Sequence, residues 1–463
     1  MRAGIIVTIR IANGAGFLGD DIDAPRRLVE SAAVDYLTLE YLAELTMSIL
    51  ARLREKDPAA GFAKDFLTVL ESSAIFASDD APRIVTNAGG VNPLACVRET
   101  ASYLARAGCP DKRLAVVTGD DLLDRLDMLQ AAGCHFANAE TGVALSEVPG
   151  RIVSANAYLG AEPICRALAA GADIVITGRV ADASLTLAPA VHEFGWSWDA
   201  WNLLAAGSVA GHLIECGAQV TGGYSTSWSV CPLTMIGYPI AELDADGTLV
   251  ITKPPGSDGR VDRQTVVEQL VYEIGDPANY ITPDVVIDFT SVDVADRGSN
   301  RVEVCQAAGM PPPDQFKVSL AYDAGYFASS ELLVFGGDCV EKANCCAQLV
   351  FDRLRQAGVT FTETRAEVLG AGDGCRVESV SKTAPREVVL RLSVQDENRR
   401  AVERFTKAIA PLITNGPAGL AGYAAGRSVI RRVLAYWPTL VPKAVIAADV
   451  QVQTASAWLD EVN

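Results

Sequence analysis

The sequence lacks any apolar run long enough to cross a bilayer, and it has no surplus of basic residues. Lys and Arg number 39 against 57 Asp and Glu, which gives a formal net charge of −18 at pH 7. Nucleic acids and anionic membranes bind clustered positive charge, so neither is expected as a partner. An acidic substrate stays open, because one buried arginine can reverse the sign of the potential locally.

Several signatures of common enzyme classes are also missing. None of the 11 cysteines lies in a CxxC pair, which predicts free thiols rather than a disulfide framework. Neither GxxxxGK[ST] nor GxSxG occurs, which disfavours a P-loop NTPase and an α/β-hydrolase. The three histidines have no HxxxH or HExxH spacing, so a zinc site is not expected. With no secretory leader at its start, the sequence predicts a cytoplasmic protein.

Apolar runs alternate with helical stretches through the first two thirds of the chain. The main runs are Ile5–Ile11, Val34–Glu40, Arg83–Thr86, Leu114–Val117, Ile152–Val153 and Ala172–Thr177. Small or polar residues follow each run, as in βα units, so we expect an α/β fold with a doubly wound, mostly parallel sheet; a barrel is less favoured. The turns after the strands should then meet at one edge of the sheet, where such proteins bind ligands.

The length of 463 residues exceeds one ordinary domain. We expect an α/β core with Gly-rich loops over 1–229, a mixed α+β region packed on it over 230–370, and a small α+β C-terminal region over 371–463. After residue 229 short β-like segments replace the regular alternation. The end of the chain, with Trp437-Pro438 and Val441-Pro442, is expected to be irregular.

The stretch between residues 154 and 223 carries most of the candidate chemistry. Arg179, Asp182 and Ser184 follow the apolar run 172–177, at the expected ligand-binding edge. Arg179 can bind a substrate carboxylate through its forked N–H groups, and Asp182 can remove a proton beside a carbonyl. The alternative is a helix-capping turn, in which Asp182 or Ser184 is the cap and Arg179 is solvated.

A second turn in the same stretch contains Glu215 and Cys216. Glu40 and Glu215 each follow one apolar stretch and precede another, which predicts buried and paired carboxylates, and Glu215 is a second candidate base. Cys216 is a candidate nucleophile if His212, four residues earlier, acts as its base. A buried structural cysteine is the alternative.

Substrate-binding candidates come from several turns. They are Asn87, Gly89, Gly90, Asn156, Ser184, Gln219 and Lys317. We expect the backbone N–H groups of the Asn87–Gly90 turn to stabilise an oxyanion. Lys317 is expected to face the pocket, with a solvated strand position as the alternative.

Acidic residues recur at the predicted edge of the sheet. They are Asp20, Asp21, Glu40, Asp120, Asp121, Asp182 and Glu215. If they share one cavity, at least one pKa is raised, and the cluster can alternatively bind a divalent cation. No cofactor is assigned. Residues 14–19 fit G-x-G-x-x-G after a strand, but the acids at 20–23 would repel a pyrophosphate, so we interpret these glycines as serving the turn geometry.

Together these segments resemble the acyclic terpene utilisation (AtuA) family. The stretches that carry the resemblance are VDYLTLEYLAELTM (34–47), IVTNAGGVNP (84–93), YLGAEPI and ADIVITGRVADASL (within 153–188), VAGHLIECGAQVTGG (209–223), 317–320 and 387–392. They occur in family order and span most of residues 4–430. The resemblance implies a role in catabolism of branched terpenoid acids such as citronellate and geranylate, with a lyase step on a 3-hydroxyacyl-CoA-like intermediate.

The chain departs from the family pattern in two places. Longer members carry a further C-terminal ferredoxin-like domain of roughly 100 residues with a Gly-Asp-Lys-Gly turn, which is missing from this tail. The resemblance therefore implies a short form and a small companion protein that supplies this domain. Relatives are expected to have a His after Pro254-Pro255-Gly256, where this chain has Ser257-Asp258-Gly259, so its substrate preference is expected to differ.

From residues and resemblance together we expect a lyase or hydratase that acts on a hydroxylated branched organic acid or its CoA thioester, in a homo-oligomeric protein. Asp182 or Glu215 would be the base, and Arg179 would hold a carboxylate. Two alternatives stay open. One is a non-catalytic acyl-binding or scaffold subunit of a catabolic complex, and the other is a thiol-dependent hydrolase that uses Cys216.

Overall fold

The computed structural model describes residues 8–73, 75, 81–374, 385–422 and 428–460. The strands of these residues are β1 Thr8–Asn13, β2 Tyr36–Leu39, β3 Arg83–Thr86, β4 Arg113–Thr118, β5 Ile152–Ala157, β6 Ile174–Thr177, β7 Ile240–Asp244, β8 Leu249–Thr252, β9 Tyr280–Ile281, β10 Val286–Asp288, β11 Asp293–Asp296, β12 Val302–Cys305, β13 Ala308–Met310, β14 Gln315–Phe335, β15 Glu363–Leu369, β16 Glu387–Asp396, β17 Leu420–Gly422, β18 Arg431–Pro442 and β19 Asp449–Thr454. Their helices are α1 Ala24–Ser31, α2 Glu44–Lys56, α3 Asp65–Ser73, α4 Pro93–Arg106, α5 Leu126–Ala131, α6 Glu162–Ala169, α7 Ser184–Phe194, α8 Trp201–Ile214, α9 Arg263–Leu270, α10 Cys339–Gln356, α11 Arg399–Thr406, α12 Leu412–Asn415 and α13 Ala455–Asp460.

The chain divides into two compact units. The first contains Met1–Glu147, Val153–Leu320 and Tyr436–Asn463, and the second contains Val148–Ile152 and Ala321–Ala435. The three-part division expected from the sequence, with boundaries after residues 229 and 370, stays a prediction.

The first unit is built on a ten-stranded mixed sheet in the order β11-β12-β8-β7-β1-β2-β3-β6-β4-β19. The five strands β1, β2, β3, β6 and β4 are mutually parallel. Antiparallel strands extend this series on both sides, with β7 beside β1 and β19 beside β4. The predicted α/β class is confirmed, and the sheet is parallel at its centre and antiparallel towards its edges.

Helices cover both faces of the parallel series. Ile174 and Ile176 of β6 belong to a core cluster that includes residues of α3 and α4, whereas Val175 between them is fully buried but lies outside that cluster. Successive strand residues point to opposite faces, so burial of all three requires cover on each side. Helices α4 and α6 both pack against β6. This is a doubly wound arrangement around the parallel strands.

Two segments differ from the expectation. The strand β5 pairs with β14 instead of joining the parallel series, and the Tyr158 N–H after it donates to the Lys317 carbonyl at 2.9 Å.

The C-terminal end of the chain forms regular secondary structure, contrary to the expectation of irregular structure. There β18 contains both Trp437-Pro438 and Val441-Pro442, β19 pairs with β4, and α13 buries Trp458. The pairing of β19 adds a further strand to the edge of the large sheet.

The second unit has an antiparallel sheet in the order β15-β16-β14-β17. Its apolar core lies between this sheet and the helices α10, α11 and α12, with Val334, Val350, Leu390 and Phe405 among its buried residues. No helix in the described part of the chain is long and apolar enough to cross a membrane. The ten cysteines of the described residues are free.

Candidate functional site: an acid-lined pocket

Segments from several parts of the first unit converge on one pocket. Glu40 directly follows β2, Asp182 lies in the turn after β6, and Glu215 directly follows α8. Because β2 and β6 run parallel to the strand between them, the two loops that follow them lie at the same edge of the sheet. The topology thus brings together three carboxylates that are far apart in sequence.

The pocket has a volume of about 460 Å³. Its lining residues are Gly16, Phe17, Asp20, Glu40, Leu42, Ala43, Asp182, Glu215, Cys216, Ala218, Gln219, Gly223, Tyr224, Tyr238, Tyr272 and Glu273. They include six residues singled out from the sequence, namely Asp20, Glu40, Asp182, Glu215, Cys216 and Gln219. Five lining residues carry carboxylates, so the wall is strongly acidic.

Arg179 lies beneath this wall and is only 2% exposed. Its Nη1 is 2.8 Å from Asp182 Oδ1 and 4.0 Å from Glu40 Oε1, and it donates to the Leu42 carbonyl at 2.8 Å. The guanidinium also stacks on the Tyr158 ring, with its centre 4.1 Å from the ring centroid. The solvated Arg179 of the capping alternative is therefore wrong. Its contacts are with the protein's own groups, so the geometry favours holding two acids over binding a substrate carboxylate.

Glu40 is 5% exposed and has two unlike oxygens. Oε1 accepts hydrogen bonds from the Leu42 N–H at 2.9 Å and from Asn87 Nδ2. Oε2 is buried and has no hydrogen-bond partner among the described residues. Burial and the charge of Asp182 raise the pKa of Glu40 well above its ordinary value, although Arg179 opposes them.

Asn87, predicted to bind substrate, positions Glu40 in this structure. Its Nδ2 donates to Glu40 Oε1, and its Oδ1 accepts the Tyr41 N–H at 2.8 Å. The amides of the same turn are engaged locally. The Ala88 N–H donates to Thr86 Oγ1 at 3.1 Å, and the Gly90 N–H donates to the Asn87 carbonyl at 3.2 Å. These two N–H groups are therefore not free for an oxyanion.

Gly89 and Gly90 line no part of the pocket among the described residues. A Cβ on Gly89 would lie 2.4 Å from the Thr177 carbonyl oxygen, so this turn packs directly against the end of β6. Gly90 has a φ of +52°, which favours glycine. Both glycines are thus explained by close packing and turn conformation.

His212 and Glu215 form a buried pair at the pocket wall. His212 Nδ1 is 3.0 Å from Glu215 Oε1, and Nε2 is 3.0 Å from the Gln269 carbonyl. A carbonyl oxygen only accepts, so Nε2 carries a proton, and one further proton is shared between Nδ1 and the carboxylate. Burial raises the pKa of Glu215 to about 7 in spite of His212, and the pKa of His212 is raised because Glu215 outweighs the effect of burial.

Cys216 is a poor thiolate in this environment. Burial, with the nearby charge of Glu215, raises the pKa of its thiol to about 12. His212, the base considered for it from the sequence, is directed to Glu215 instead. The geometry favours a protonated thiol that forms part of the wall beside Gln219.

Asn156 does not line the pocket but supports the turn that carries Arg179. Its Nδ2 donates to Asp120 Oδ2 at 2.9 Å, and the same oxygen accepts the Arg179 N–H at 2.9 Å. Burial raises the pKa of Asp120 to about 6, although these hydrogen bonds oppose the shift. Asn156 and Asp120 therefore hold the turn that carries Arg179.

Ser184 lies away from the pocket lining. Its Oγ donates to Asp284 Oδ2 at 2.6 Å, and Asp284 Oδ1 accepts the Ala161 N–H at 2.9 Å. The cap position of α7 is Ala183, with no side-chain capping bond, so neither Asp182 nor Ser184 caps this helix. Ser184 links the start of α7 to Asp284 and the chain before α6.

Lys317 forms a separate polar cluster with Glu44 and Tyr158. Its Nζ is 3.1 Å from Glu44 Oε1, which also accepts the Tyr158 hydroxyl at 2.5 Å. Against the effect of burial, this hydrogen bond and the charge of Lys317 lower the pKa of Glu44 to about 2. Because Tyr158 also stacks on Arg179, the cluster is joined to the acid-lined pocket through one aromatic ring.

The Gly-rich loop after β1 has little capacity for a pyrophosphate. The Gly16 N–H donates to Asp20 Oδ2 at 2.8 Å, and the Gly19 N–H donates to Asp65 Oδ2 at 2.8 Å. Carboxylates thus occupy amides that a dinucleotide would need. Among the residues that the structure describes, no group of three or more His, Cys, Asp or Glu is placed to hold a metal ion.

From the sequence Glu40 was predicted to be buried and paired but was given no catalytic role, and His212 was considered as a base for Cys216 rather than as a partner of Glu215. Glu40 shares the signal that singled out Asp182, a polar residue directly after a buried strand at the ligand-binding edge. The i, i+3 spacing of His212 and Glu215 could have indicated their pairing at the end of a helix. The contact of Tyr158 with Arg179 has no local sequence signal.

The family model described as acyclic terpene utilisation family protein AtuA matches residues 9–452 of the 463. The chain belongs to this family. Glu40, Asp182 and Glu215 each lie within a segment that resembles the family, so three of those segments converge on the pocket. No curated protein matches the chain.

Two solved structures show local likeness only. An amidase of the hydantoinase/carbamoylase family from Burkholderia multivorans is 15% identical, with a TM-score of 0.17, over 25% of this chain and 29% of that one. A second, from Burkholderia vietnamiensis, is 14% identical, with a TM-score of 0.17, over 26% and 30%. The chain thus spans less than a third of either amidase.

Proposed function

We propose that this protein is a lyase or hydratase that acts on a hydroxylated branched organic acid or its CoA thioester, with Glu215 as the general base. The observation that carries the proposal is the 3.0 Å contact between Glu215 Oε1 and His212 Nδ1 at the wall of the pocket. The pKa of Glu215 is raised to about 7, and proton transfer is most efficient when the pKa lies near the working pH. Membership of a terpene utilisation family supports the substrate class.

In the lyase direction, the Glu215 carboxylate takes the proton of the substrate hydroxyl. The oxygen lone pair forms a carbonyl as the adjacent carbon–carbon bond breaks, and the bonding electrons move to the α carbon of the departing acid or thioester. That enolate then takes a proton from solvent or from a neighbouring acid. For a hydratase working towards dehydration, the base removes the α proton, a C=C bond forms, and the hydroxyl leaves as water after protonation. Both reactions need a base and an acid close together, which the lining of this pocket supplies.

Asp182 is the second candidate for proton transfer. Its side chain is 38% exposed, and Arg179 holds its Oδ1 at 2.8 Å. Burial raises the pKa of Asp182 above its ordinary value, although the fixed positive charge of Arg179 opposes this shift. In this proposal Arg179 orients Asp182 and Glu40, and its sequence-based role as a substrate clamp is given up for that positioning role.

The convergence of acids favours an enzyme over a non-catalytic acyl-binding or scaffold subunit, for which an apolar groove without such acids would be expected. The raised pKa of Cys216 weighs against a thiol-dependent hydrolase. A cytoplasmic location, a homo-oligomeric state and a small companion protein that supplies a ferredoxin-like domain are further parts of the proposal, supported by composition and by resemblance. A bound divalent cation has no support from the placement of the described ligand residues.

The test is a screen of the purified protein, with and without its candidate companion, against branched 3-hydroxy acids and their CoA thioesters. Glu215→Gln should lower kcat/KM by about 10²- to 10⁴-fold, the usual contribution of a general base. Asp182→Asn is tested beside it, and the exposed Glu341→Gln in the second unit is the matched control. Wild-type turnover in both Glu215→Gln and Asp182→Asn would remove the proposal.

The pH profile gives a further prediction. A general base acts only when deprotonated, so kcat/KM should rise with pH to a plateau, with an apparent pKa of about 7 for the Glu215–His212 pair. His212→Gln removes the shared proton and should shift the inflection. A profile that falls through pH 7 would assign Glu215 to the acid step instead.

A further inference from the structure

The two oxygens of Glu40 differ in a way that the proton transfer described above does not use. Oε1 accepts two N–H donors, from Leu42 and Asn87. Oε2 is buried without any partner among the residues described, in a side chain that belongs to the wall of the acidic pocket. A buried polar atom without a partner is destabilising, so an unpartnered oxygen in a residue of the pocket wall points to a partner that arrives with the ligand.

We propose that Glu40 is an uncharged carboxylic acid whose Oε2–H donates a hydrogen bond to an oxygen of the bound substrate. The inference deepens the proposed function and rests on it for the identity of that oxygen, which is the thioester or carboxyl oxygen that gains negative charge as the enolate forms. Glu40 thereby becomes a catalytic residue that stabilises an oxyanion, in addition to the proton-transfer role of Glu215.

The arrangement of charges around Glu40 supports its neutral form. The charged groups with the largest effects on Glu40 are one carboxylate and one cation, namely Asp182 and Arg179. Asp20, Glu215 and Glu273 add further acidic groups to the same pocket. Arg179 lies 2.8 Å from Asp182 Oδ1 but 4.0 Å from Glu40 Oε1. The Asp182 side chain is also 38% exposed, whereas the Glu40 side chain is 6% exposed. The single positive charge therefore pairs with Asp182, and the deeper carboxyl group keeps its proton.

The hydrogen-bond pattern also decides where that proton sits. Both N–H donors are directed at Oε1, so Oε1 is the carbonyl oxygen of the neutral acid and Oε2 is the hydroxyl oxygen. Oε2–H is then the donor available to a ligand. A carboxylic acid that stays neutral in an apolar setting can serve as an oxyanion donor in this way.

This role replaces the one predicted for the Asn87–Gly90 turn. The amides of Ala88 and Gly90 already donate to Thr86 and to the Asn87 carbonyl, so they cannot act on the ligand without breaking the turn. The turn contributes indirectly, since Asn87 fixes Oε1. Loss of one donor to an oxyanion usually costs about 10²- to 10³-fold in kcat.

Two substitutions distinguish a neutral donor from a charged acid. Glu40→Gln keeps an acceptor at the position of Oε1 and places an N–H donor at that of Oε2, so kcat should fall by no more than about tenfold. Glu40→Leu removes the donor and should lower kcat by about 10²- to 10³-fold. Equal and large losses in both variants would show that Glu40 works as a charged carboxylate, which overturns the inference. Thermal unfolding checks that each variant is folded.

Infrared difference spectroscopy gives a readout that does not require turnover. At pH 7.5 the wild type minus Glu40→Gln spectrum should contain the carbonyl band of a protonated carboxylic acid, and Asp182→Asn should retain that band. Addition of 3-hydroxy-3-methylbutyrate, a small branched hydroxy acid, should shift it. Absence of the band in the wild type overturns the inference even if Glu40→Leu does not fold. The band with wild-type turnover in Glu215→Gln would instead reject the proposed base and retain Glu40 as a neutral donor.

Discussion

At the scale of single residues, the buried acids of the first unit are held mainly by amide donors rather than by cations. Asp120 is the simplest case, because its Oδ2 accepts only the Arg179 backbone N–H and the Asn156 amide among the described contacts. Neutral donors stabilise a carboxylate less than a paired cation does, so burial prevails and the pKa of Asp120 rises to about 6.

Asp120→Asn should therefore change how the free energy of unfolding depends on pH. The native carboxyl keeps its proton to about pH 6, whereas the unfolded one releases it near 3.8, so the native state binds more protons between these values. In the wild type this residue lowers the free energy of unfolding as pH rises from about 4 to 6, by a total of about 3 kcal/mol. The Asn side chain keeps an acceptor and has no proton to lose, so this decrease should shrink.

Urea unfolding between pH 4 and 7 measures the effect, and the exposed Asp127→Asn is the control. The difference in unfolding free energy between wild type and Asp120→Asn should grow in favour of the variant as pH rises. Parallel curves for the two proteins would show that Asp120 titrates normally.

The sequence allowed the residues of the pocket to be predicted better than their partners. Asp182, Glu215, Cys216 and Gln219 were singled out from strand ends and turns, and they line one pocket. Arg179 is buried against Asp182 instead of being solvated. It also contacts the Leu42 carbonyl and the Tyr158 ring, which come from distant parts of the chain. No local pattern encodes such contacts.

At the scale of elements, the Gly-rich loop after β1 contacts the turn that carries Cys216. A Cβ on Gly16 would lie 2.7 Å from the Cys216 carbonyl carbon and 2.9 Å from the Gly217 nitrogen. Both neighbours are backbone atoms, which cannot move aside by a rotamer change. The glycine therefore allows two loops that line the pocket to approach each other.

Gly16→Ala should lower the free energy of unfolding by about 1–3 kcal/mol, the usual cost of overpacking, and should also reduce kcat by displacing Glu215. The control is Gly275→Ala, since a Cβ on Gly275 meets no atom within 4 Å. Chemical denaturation and turnover are measured on both variants. A Gly16→Ala protein as stable and active as the control would contradict this close approach.

Strand positions followed from apolar runs, but strand partners did not. The expected series of βα turns is confirmed for β1, β2, β3, β4 and β6, which form the parallel centre. The pattern of β5 resembles theirs, yet it pairs with β14, because a local pattern specifies that a segment is extended and not which neighbour it meets. The two proline dipeptides suggested irregular structure, whereas both lie within β18.

At the scale of the whole molecule, the charge of −18 should influence substrate capture. An organic acid or a CoA thioester is itself anionic, so the protein's field should slow its approach. Salt screens this repulsion, since the Debye length falls from about 30 Å at 0.01 M to about 10 Å at 0.1 M. The kcat/KM for an anionic substrate should therefore rise with ionic strength.

The methyl ester of the same hydroxy acid is the control, and its kcat/KM should be nearly independent of salt. Both are measured at constant pH over the same range of sodium chloride. A kcat/KM for the acid that falls with salt would indicate a positive entry path, contrary to the acidic lining described above.

The pairing of the C-terminal strand β19 with the large sheet could not be predicted from the sequence either. Residues 436–463 belong to the first unit, where β19 pairs with β4 and Trp458 is buried. A change of composition along the chain can indicate a change of secondary structure. It does not indicate that a C-terminal segment packs in the same core as the N-terminal strands.

The most direct measurement is an infrared pH titration of wild type against Glu215→Gln between pH 5 and 9, without substrate. We expect the difference spectrum to change from a protonated carboxylic acid to a carboxylate with a midpoint of about 7, and His212→Gln to shift this midpoint. A Glu215 carboxyl that is already fully ionised at about pH 5, as an ordinary glutamate largely is, would contradict the account.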